Sequence, residues 1–306
     1  MILKLMGCLK KIMGAKEEQD ITTVGHEKPG GATRVLQPAY TLRLKPGLEA
    51  QLPAETVQTT ERRTALLNIS WDGLTDIGRI REHNEDSFSQ LSFGEKSLFV
   101  VADGMGGHDA GEVASRIAVE TVCEEIRKGA KTDTDPQGLI ERAVQQANNE
   151  VRREGANKKS DMGTTLCVTL IADDTAYVAN VGDSRAYWIE NGSITQITED
   201  HSLVAKLVAA GKLTKEEARG HPRSNLLYRT VGNDEIVKVD IFQVELKKGG
   251  SLLLCSDGLW GEVADEEIHK VFAAGSDAKN ACARLVRMAI ENGGKDNVTA
   301  VVVKII

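Results

Sequence analysis

Leu98-Phe99-Val100-Val101-Ala102-Asp103-Gly104-Met105-Gly106-Gly107 is the stretch on which the reading of this chain turns. A short apolar run leads straight into a carboxylate, so a strand presents that carboxylate on a rigid support at the edge of a core. Asp-Gly after an apolar run is ordinarily a hairpin turn, because the pair tolerates positive φ. The continuation, Met105-Gly106-Gly107-His108-Asp109-Ala110-Gly111-Glu112, is too long and too glycine-rich for a two-residue turn. Such a stretch lets backbone carbonyls and amides approach a ligand closely.

The same arrangement recurs in Leu252-Leu253-Leu254-Cys255-Ser256-Asp257-Gly258 and in Tyr177-Val178-Ala179-Asn180-Val181-Gly182-Asp183. Asp257-Gly258 runs into Leu-Trp-Gly and a helix start, again with no returning strand. Carboxylates carried on several strands of one domain can converge on a hard cation. The chain therefore reads as a metal-dependent hydrolase.

Composition narrows the classes. Of 306 residues, 41% are hydrophobic and 27% charged, as in a soluble globular protein. No apolar run approaches the ~18 residues of a membrane span. An acidic balance and only 4% aromatics argue against a nucleic-acid surface, which needs a basic face and stacking side chains. The five cysteines (Cys8, Cys123, Cys167, Cys255, Cys282) are scattered without metal-site spacing and read as small buried hydrophobes in a reducing, cytoplasmic setting.

Residues 1–66 differ from the rest. They hold 10 Lys/Arg against 7 Asp/Glu, leaving 28 against 38 for the remainder, so the negative charge belongs to residues 67–306. Rich in Gly, Pro, Thr, Glu and Gln without periodicity, residues 1–66 read as a mostly disordered extension. Their first fourteen, apolar with lysines, read as a solvated tail ahead of a membrane-surface helix.

Strands and helices alternate beyond Ser70. Asn191-Gly192 joins Arg185–Ile189 to Ser193–Thr198, a strong hairpin signal. Helices are expected over Val113–Lys128, after Asp135-Pro136, and from Ala281 to the stop at Gly293-Gly294. Antiparallel strands in blocks and helices with one apolar face imply sheets sandwiched and covered by helices. Residues 201–231 interrupt the pattern. Two short helices, the second with the capping box Thr214–Glu217, precede the basic loop Arg219-Gly220-His221-Pro222-Arg223, and the segment reads equally as a flap over a site or as a plain surface excursion.

Arg81, Glu85-Asp86, Asp103-Gly104-Met105-Gly106-Gly107-His108, Met162-Gly163-Thr164-Thr165, Gly182-Asp183-Ser184-Arg185, Ser256-Asp257-Gly258-Leu259-Trp260 and Lys295-Asp296-Asn297-Val298-Thr299 stand in one order. Together they resemble the metal-dependent serine/threonine protein phosphatases of the type 2C (PPM) class in their bacterial form. The resemblance covers about residues 70–306.

The resemblance implies an α+β fold, a four-layer αββα sandwich of two antiparallel sheets flanked by helices, with residues 67–306 as the phosphatase domain and 201–231 as its flap. It implies hydrolysis of phosphoserine and phosphothreonine in proteins by metal-activated water at a binuclear Mg²⁺ or Mn²⁺ centre. In it Asp103 bridges the ions, the Gly104 carbonyl completes one shell, and Asp257 and Asp296 hold the other. Glu85 and Asp86 ligate or orient water, and Arg81 grips the phosphate. Asp161 is the candidate for a third ion, and Asp183 reads as a structural loop residue. Met105 stands where many relatives carry a histidine acid. Phosphorylated proteins are the implied substrates of a monomer that opposes a serine/threonine kinase in bacterial signalling. A catalytically silent regulatory relative is the competing reading, and loss of a metal aspartate would mark it.

Overall fold

A computed structural model describes residues 67–107, 110–130 and 135–306. The expectations for residues 1–66, His108 and Asp109 lie outside these. Eleven strands and seven helices occur among the described residues. The strands are β1 (Ile69–Asp76), β2 (Asp86–Phe93), β3 (Lys96–Gly106), β4 (Met162–Thr164), β5 (Leu166–Ala172), β6 (Thr175–Val181), β7 (Arg185–Glu190), β8 (Ser193–Gln196), β9 (Asp240–Glu245), β10 (Ser251–Cys255) and β11 (Val298–Ile305). The helices are α1 (Ala110–Gly129), α2 (Pro136–Lys158), α3 (Leu203–Ala209), α4 (Lys215–Arg219), α5 (Asp257–Trp260), α6 (Asp265–Ala273) and α7 (Ala278–Asn292).

One antiparallel sheet runs β1-β11-β10-β7-β8 and the other β2-β3-β5-β6-β9, with β4 added to β3. Successive strand residues point to opposite faces, so a strand between two layers needs both faces apolar. That is why β3 and β10 read as unbroken hydrophobic runs. Leu98, Val100 and Ala102 pack with Ile126 of α1 and Ile140 of α2. Phe99 and Val101 turn the other way, onto Leu252 and Leu254 of β10 and Val301 and Val303 of β11. Leu253 and Cys255 face α6 and α7 through Ile268, Leu285 and Val286. Three apolar seams thus join four layers, and each fully buried Leu, Val or Phe contributes roughly 1.5–3 kcal/mol.

Local chemistry sets the element ends. Asn191 (φ 49°) and Gly192 (φ 78°) both adopt the left-handed conformation that a two-residue hairpin needs. The Asp135 side chain accepts a hydrogen bond from Gln137 N ahead of Pro136 at the start of α2. Thr214 and Glu217 form the expected capping box of α4. Two expectations shift. Helix α1 begins at Ala110, three residues before Val113. Strand β3 does not stop at Asp103 but continues to Gly106, because β4 pairs with it through Gly104↔Thr164 and Gly106↔Met162.

Candidate active site

Pairing register brings the acidic residues to one end of both sheets. Asp86 lies opposite Asp103 in the β2–β3 pair. Leu166 pairs with Val181, which places Thr165 and Gly182-Asp183 side by side. Cys255 pairs with Ala300 on one flank and Arg185 on the other. Asp257 and Asp183, each two residues outside those pairs, therefore emerge together, and Asp296 precedes β11 at the same end. Asp103, Gly104, Asp183, Asp257, Asp296, Glu85 and Arg81 line one cavity of about 210 Å³. Met105, Gly106, Thr165, Asn225 and Leu227 complete its wall, the last two from the segment between β8 and β9.

Close backbone approach shapes this end. A Cβ on Gly104 would lie 2.0 Å from Gly111 O and 2.7 Å from Glu85 O. One on Gly258 would lie 2.0 Å from Asn297 O. Only glycine lets these segments meet.

Hydroxyls and amides behind the carboxylates hold them in place. Thr165 Oγ1 accepts from Asp103 N (2.9 Å), while Thr165 N and Thr164 Oγ1 both donate to Asp103 O (2.8 Å each). Ser256 Oγ (2.7 Å) and Thr299 Oγ1 (2.6 Å) donate to Asp86 Oδ2. Asn84 Nδ2 donates to Thr75 Oγ1 (2.9 Å), which in turn lies 2.8 Å from Thr299 Oγ1, so a donor chain ends on Asp86. Asn297 joins two loops: its Oδ1 accepts from Glu85 N (2.8 Å), and its Nδ2 donates to Ile77 O (3.0 Å) and His83 O (2.9 Å). Arg81 Nη2 donates to Asp296 Oδ2 (2.7 Å) and lies 3.8 Å from Glu85 through Nη1.

The electrostatics are those of negative charge gathered out of water. Burial, with the charges of Asp86, Asp257, Asp183 and Asp296, pushes Asp103 well above the carboxylate range. Burial pushes Asp86 up to about 7 against the opposing hydrogen bonds from Thr299 and Ser256. It pushes Asp257 up to about 6, with Asp296 adding to the rise. Asp183 is raised by burial and by Asp257. Two carboxylate oxygens, Asp86 Oδ1 and Asp257 Oδ1, are buried without a hydrogen-bond partner among the described residues.

A divalent cation relieves each of these costs, and oxygen donors suit Mg²⁺ or Mn²⁺. Among the described residues no three His, Cys, Asp or Glu side chains already form a closed ligand set. Repelling carboxylates take whatever partner is at hand, Arg81 for Asp296 and the two hydroxyls for Asp86. The donor set fits a hard ion.

Residues 79–297 match the family model described as protein phosphatase 2C. The chain belongs to the protein phosphatase 2C family. It is 37% identical to the serine/threonine phosphatase stp of Listeria innocua over 235 residues, covering 75% of this chain and 93% of the relative. The structure of the Mycobacterium tuberculosis serine/threonine phosphatase PstP/Ppp superposes with a TM-score of 0.71 at 34% identity, covering 78% of this chain and 99% of that one. The catalytic domain of PstP in complex with two manganese ions superposes at 0.70 with 33% identity, over 78% of this chain and 99% of that one.

Within this protein phosphatase 2C domain, Arg81, Glu85, Asp103, Gly104, Asp257 and Asp296 share the cavity. Asp86 does not line it. That side chain is buried behind, opposite Asp103, with one oxygen bound and one free. Asp183, read as a structural loop residue, also lines the cavity. Gly182 (φ 104°) turns the chain there so closely that a Cβ would meet Thr165 at 2.7 Å. Asp161 is exposed and borders a separate cavity with Arg152, Arg153 and Lys159.

Thr165, Asn225, Ser256, Asn297 and Thr299 belong to quoted motifs or to the flap, yet no role was assigned to them. Their one signal is membership of those motifs or of the flap, which says nothing about distant partners.

Proposed function

We infer that this chain is a Mg²⁺- or Mn²⁺-dependent protein-serine/threonine phosphatase, with residues 67–306 as its catalytic domain and 201–231 as a flap. Four aspartates from separated stretches on one small cavity carry the reading. In support stand relatives named serine/threonine phosphatases and the manganese-bound PstP domain. Asp103, Asp257 and Asp296 all face that cavity, which favours an active enzyme over a silent relative.

Asp103, the Gly104 carbonyl, Asp257 and Asp296 would hold the metal, with Asp183 and Glu85 beside them and Asp86 steadying the Asp103 strand from behind. Bound metal supplies Lewis acidity that makes water nucleophilic at neutral pH and offsets charge on the phosphoryl oxygens. Arg81, 43% exposed, presents a planar fork matched to phosphate oxygens and is aimed by Asp296. The Met105 side chain at the cavity wall brings no proton, so the leaving serine or threonine oxygen takes its proton from another group.

Substrates are phosphorylated proteins, made by a serine/threonine kinase of the same cell, and the enzyme works as a cytoplasmic monomer. Among the described residues no helix is long and apolar enough to cross a membrane. The test is release of phosphate from a phosphothreonine peptide with Mn²⁺ and with EDTA. Metal-dependent release is expected, and equal turnover in EDTA overturns the assignment.

A further inference from the structure

A groove of about 440 Å³ adjoins the metal cavity and shares three residues with it, Asn225, Asp257 and Asp296. Its outer wall is cationic. Arg219 ends α4, His221 and Arg223 come from the loop after it, and Lys295 comes from the loop before β11. Arg219 lies 3.7 Å from Asp265, and Lys295 lies 3.1 Å from Glu262. Arg223 is exposed, with no acidic partner among the described residues, and His221 Nδ1 is already occupied by the Arg223 amide (3.1 Å). Hydrogen-bonded turns order the loop: Ser224 N to His221 O, Leu226 N to Arg223 O and Leu203 N to Leu226 O. Asn225 Oδ1 accepts from Ser224 Oγ (2.9 Å), which leaves its amide hydrogens free at the junction of the two cavities. The acids in the groove are Glu262 and the two aspartates assigned to the metal.

We propose that this groove is a subsite for a second anionic side chain of the substrate, a carboxylate or another phosphoryl group, near the phosphorylated residue. The proposal rests on the phosphatase reading of the adjoining cavity. Once Asp257 and Asp296 are committed to cations, Glu262 is the acid that remains in the groove's lining among the described residues, while Asp265, outside that lining, lies beside Arg219 and leaves Arg223 without an acidic neighbour. Electropositive walls of this kind select an oppositely charged partner and hasten its arrival. Because the cavities share a wall, the second anion belongs to a residue close to the phosphorylated one in the substrate.

The test compares kcat/KM for three sets of phosphothreonine peptides, with neighbours on either side neutral, glutamate or phosphoserine, using p-nitrophenyl phosphate as the reference that lacks neighbours. Wild type is expected to favour at least one anionic set by about tenfold over the neutral set, as charge-assisted contacts allow. Arg223→Glu is expected to abolish that ratio, and Glu262→Gln to raise it. Preference for glutamate and phosphoserine alike assigns any anion to the groove; preference for phosphoserine alone assigns a phosphoryl group. Equal kcat/KM across the three sets, or an unchanged ratio in Arg223→Glu, overturns the proposal while leaving the phosphatase reading intact. Failure to turn over any phosphorylated substrate would sink the parent reading instead.

Discussion

Thr299 Oγ1 donates a 2.6 Å hydrogen bond to Oδ2 of Asp86, a residue 213 positions earlier in the chain. Both are buried, and the bond ties the β2 strand of one sheet to the β11 strand of the other directly behind Asp103. Thr299→Val keeps the shape and removes the donor. A buried acceptor that loses a partner costs about 1–3 kcal/mol. Supporting hydrogen bonds of metal sites are worth roughly 10–100-fold in affinity or activity. We expect a lower Tm and weaker Mn²⁺ binding by calorimetry; unchanged values for both would show that Asp86 needs no such support.

Asn297 joins the loop 77–85 to the loop before β11 through Glu85 N, Ile77 O and His83 O. Asn297→Ala leaves three backbone groups without that partner, and a loss of about 2–4 kcal/mol is expected from urea denaturation. Arg81 and Glu85 lie in or beside the released loop, so kcat/KM should fall along with stability.

Asp257 has a buried oxygen at the cavity with no hydrogen-bond partner among the described residues. Asp257→Asn keeps its volume and halves the carboxylate's ligating capacity. Phosphatase activity at limiting Mn²⁺ should drop at least about a hundredfold, as when a metal ligand is lost, with the metal titration moving to higher concentration. Full activity at the same Mn²⁺ concentration would remove Asp257 from the ligand set.

The stability of chelated protein should decline with rising pH. Burial raises Asp86 to about 7 and Asp257 to about 6, so the folded chain keeps protons that the unfolded chain has already released. Stability from these groups is fully present below about pH 4 and is lost as pH climbs through 6 and 7. Thermal melts in EDTA at pH 5 and pH 8 should show the lower Tm at pH 8. Excess Mn²⁺ should flatten or reverse the trend, because a cation favours the ionised carboxylates.

Gly258 approaches the Asn297 carbonyl so closely that a Cβ would sit 2.0 Å from it. Gly258→Ala should destabilise by about 1–3 kcal/mol through overpacking and should displace Asp257. A melt and activity equal to wild type would mean that this contact has slack.

Much of the site was legible because strand ends advertise themselves. The runs 98–102 and 252–255 are apolar on every residue since each strand lies between two layers, and their aspartates follow within two residues. The Asn191-Gly192 hairpin and the α2 and α4 caps were legible too, being decided within a few residues. The place of Asp183 on the cavity was not legible, because Gly-Asp-Ser is good turn chemistry by itself. Only the register of β5, β6 and β7 beside β10 carries it to the cavity that Asp257 enters.

Local order in the chain, its apolar periods, turn pairs and acidic motifs, thus determined the elements and nominated the carboxylates, since those properties act over a few bonds or one helical turn. Tertiary structure alone decided which oxygens are buried together, which hydroxyls brace them and where the flap's cations lie. Those depend on pairing and packing between segments that lie from tens of residues apart, as β7 and β10 do, to more than two hundred, as Asp86 and Thr299 do, a matter of register and desolvation that no single stretch encodes.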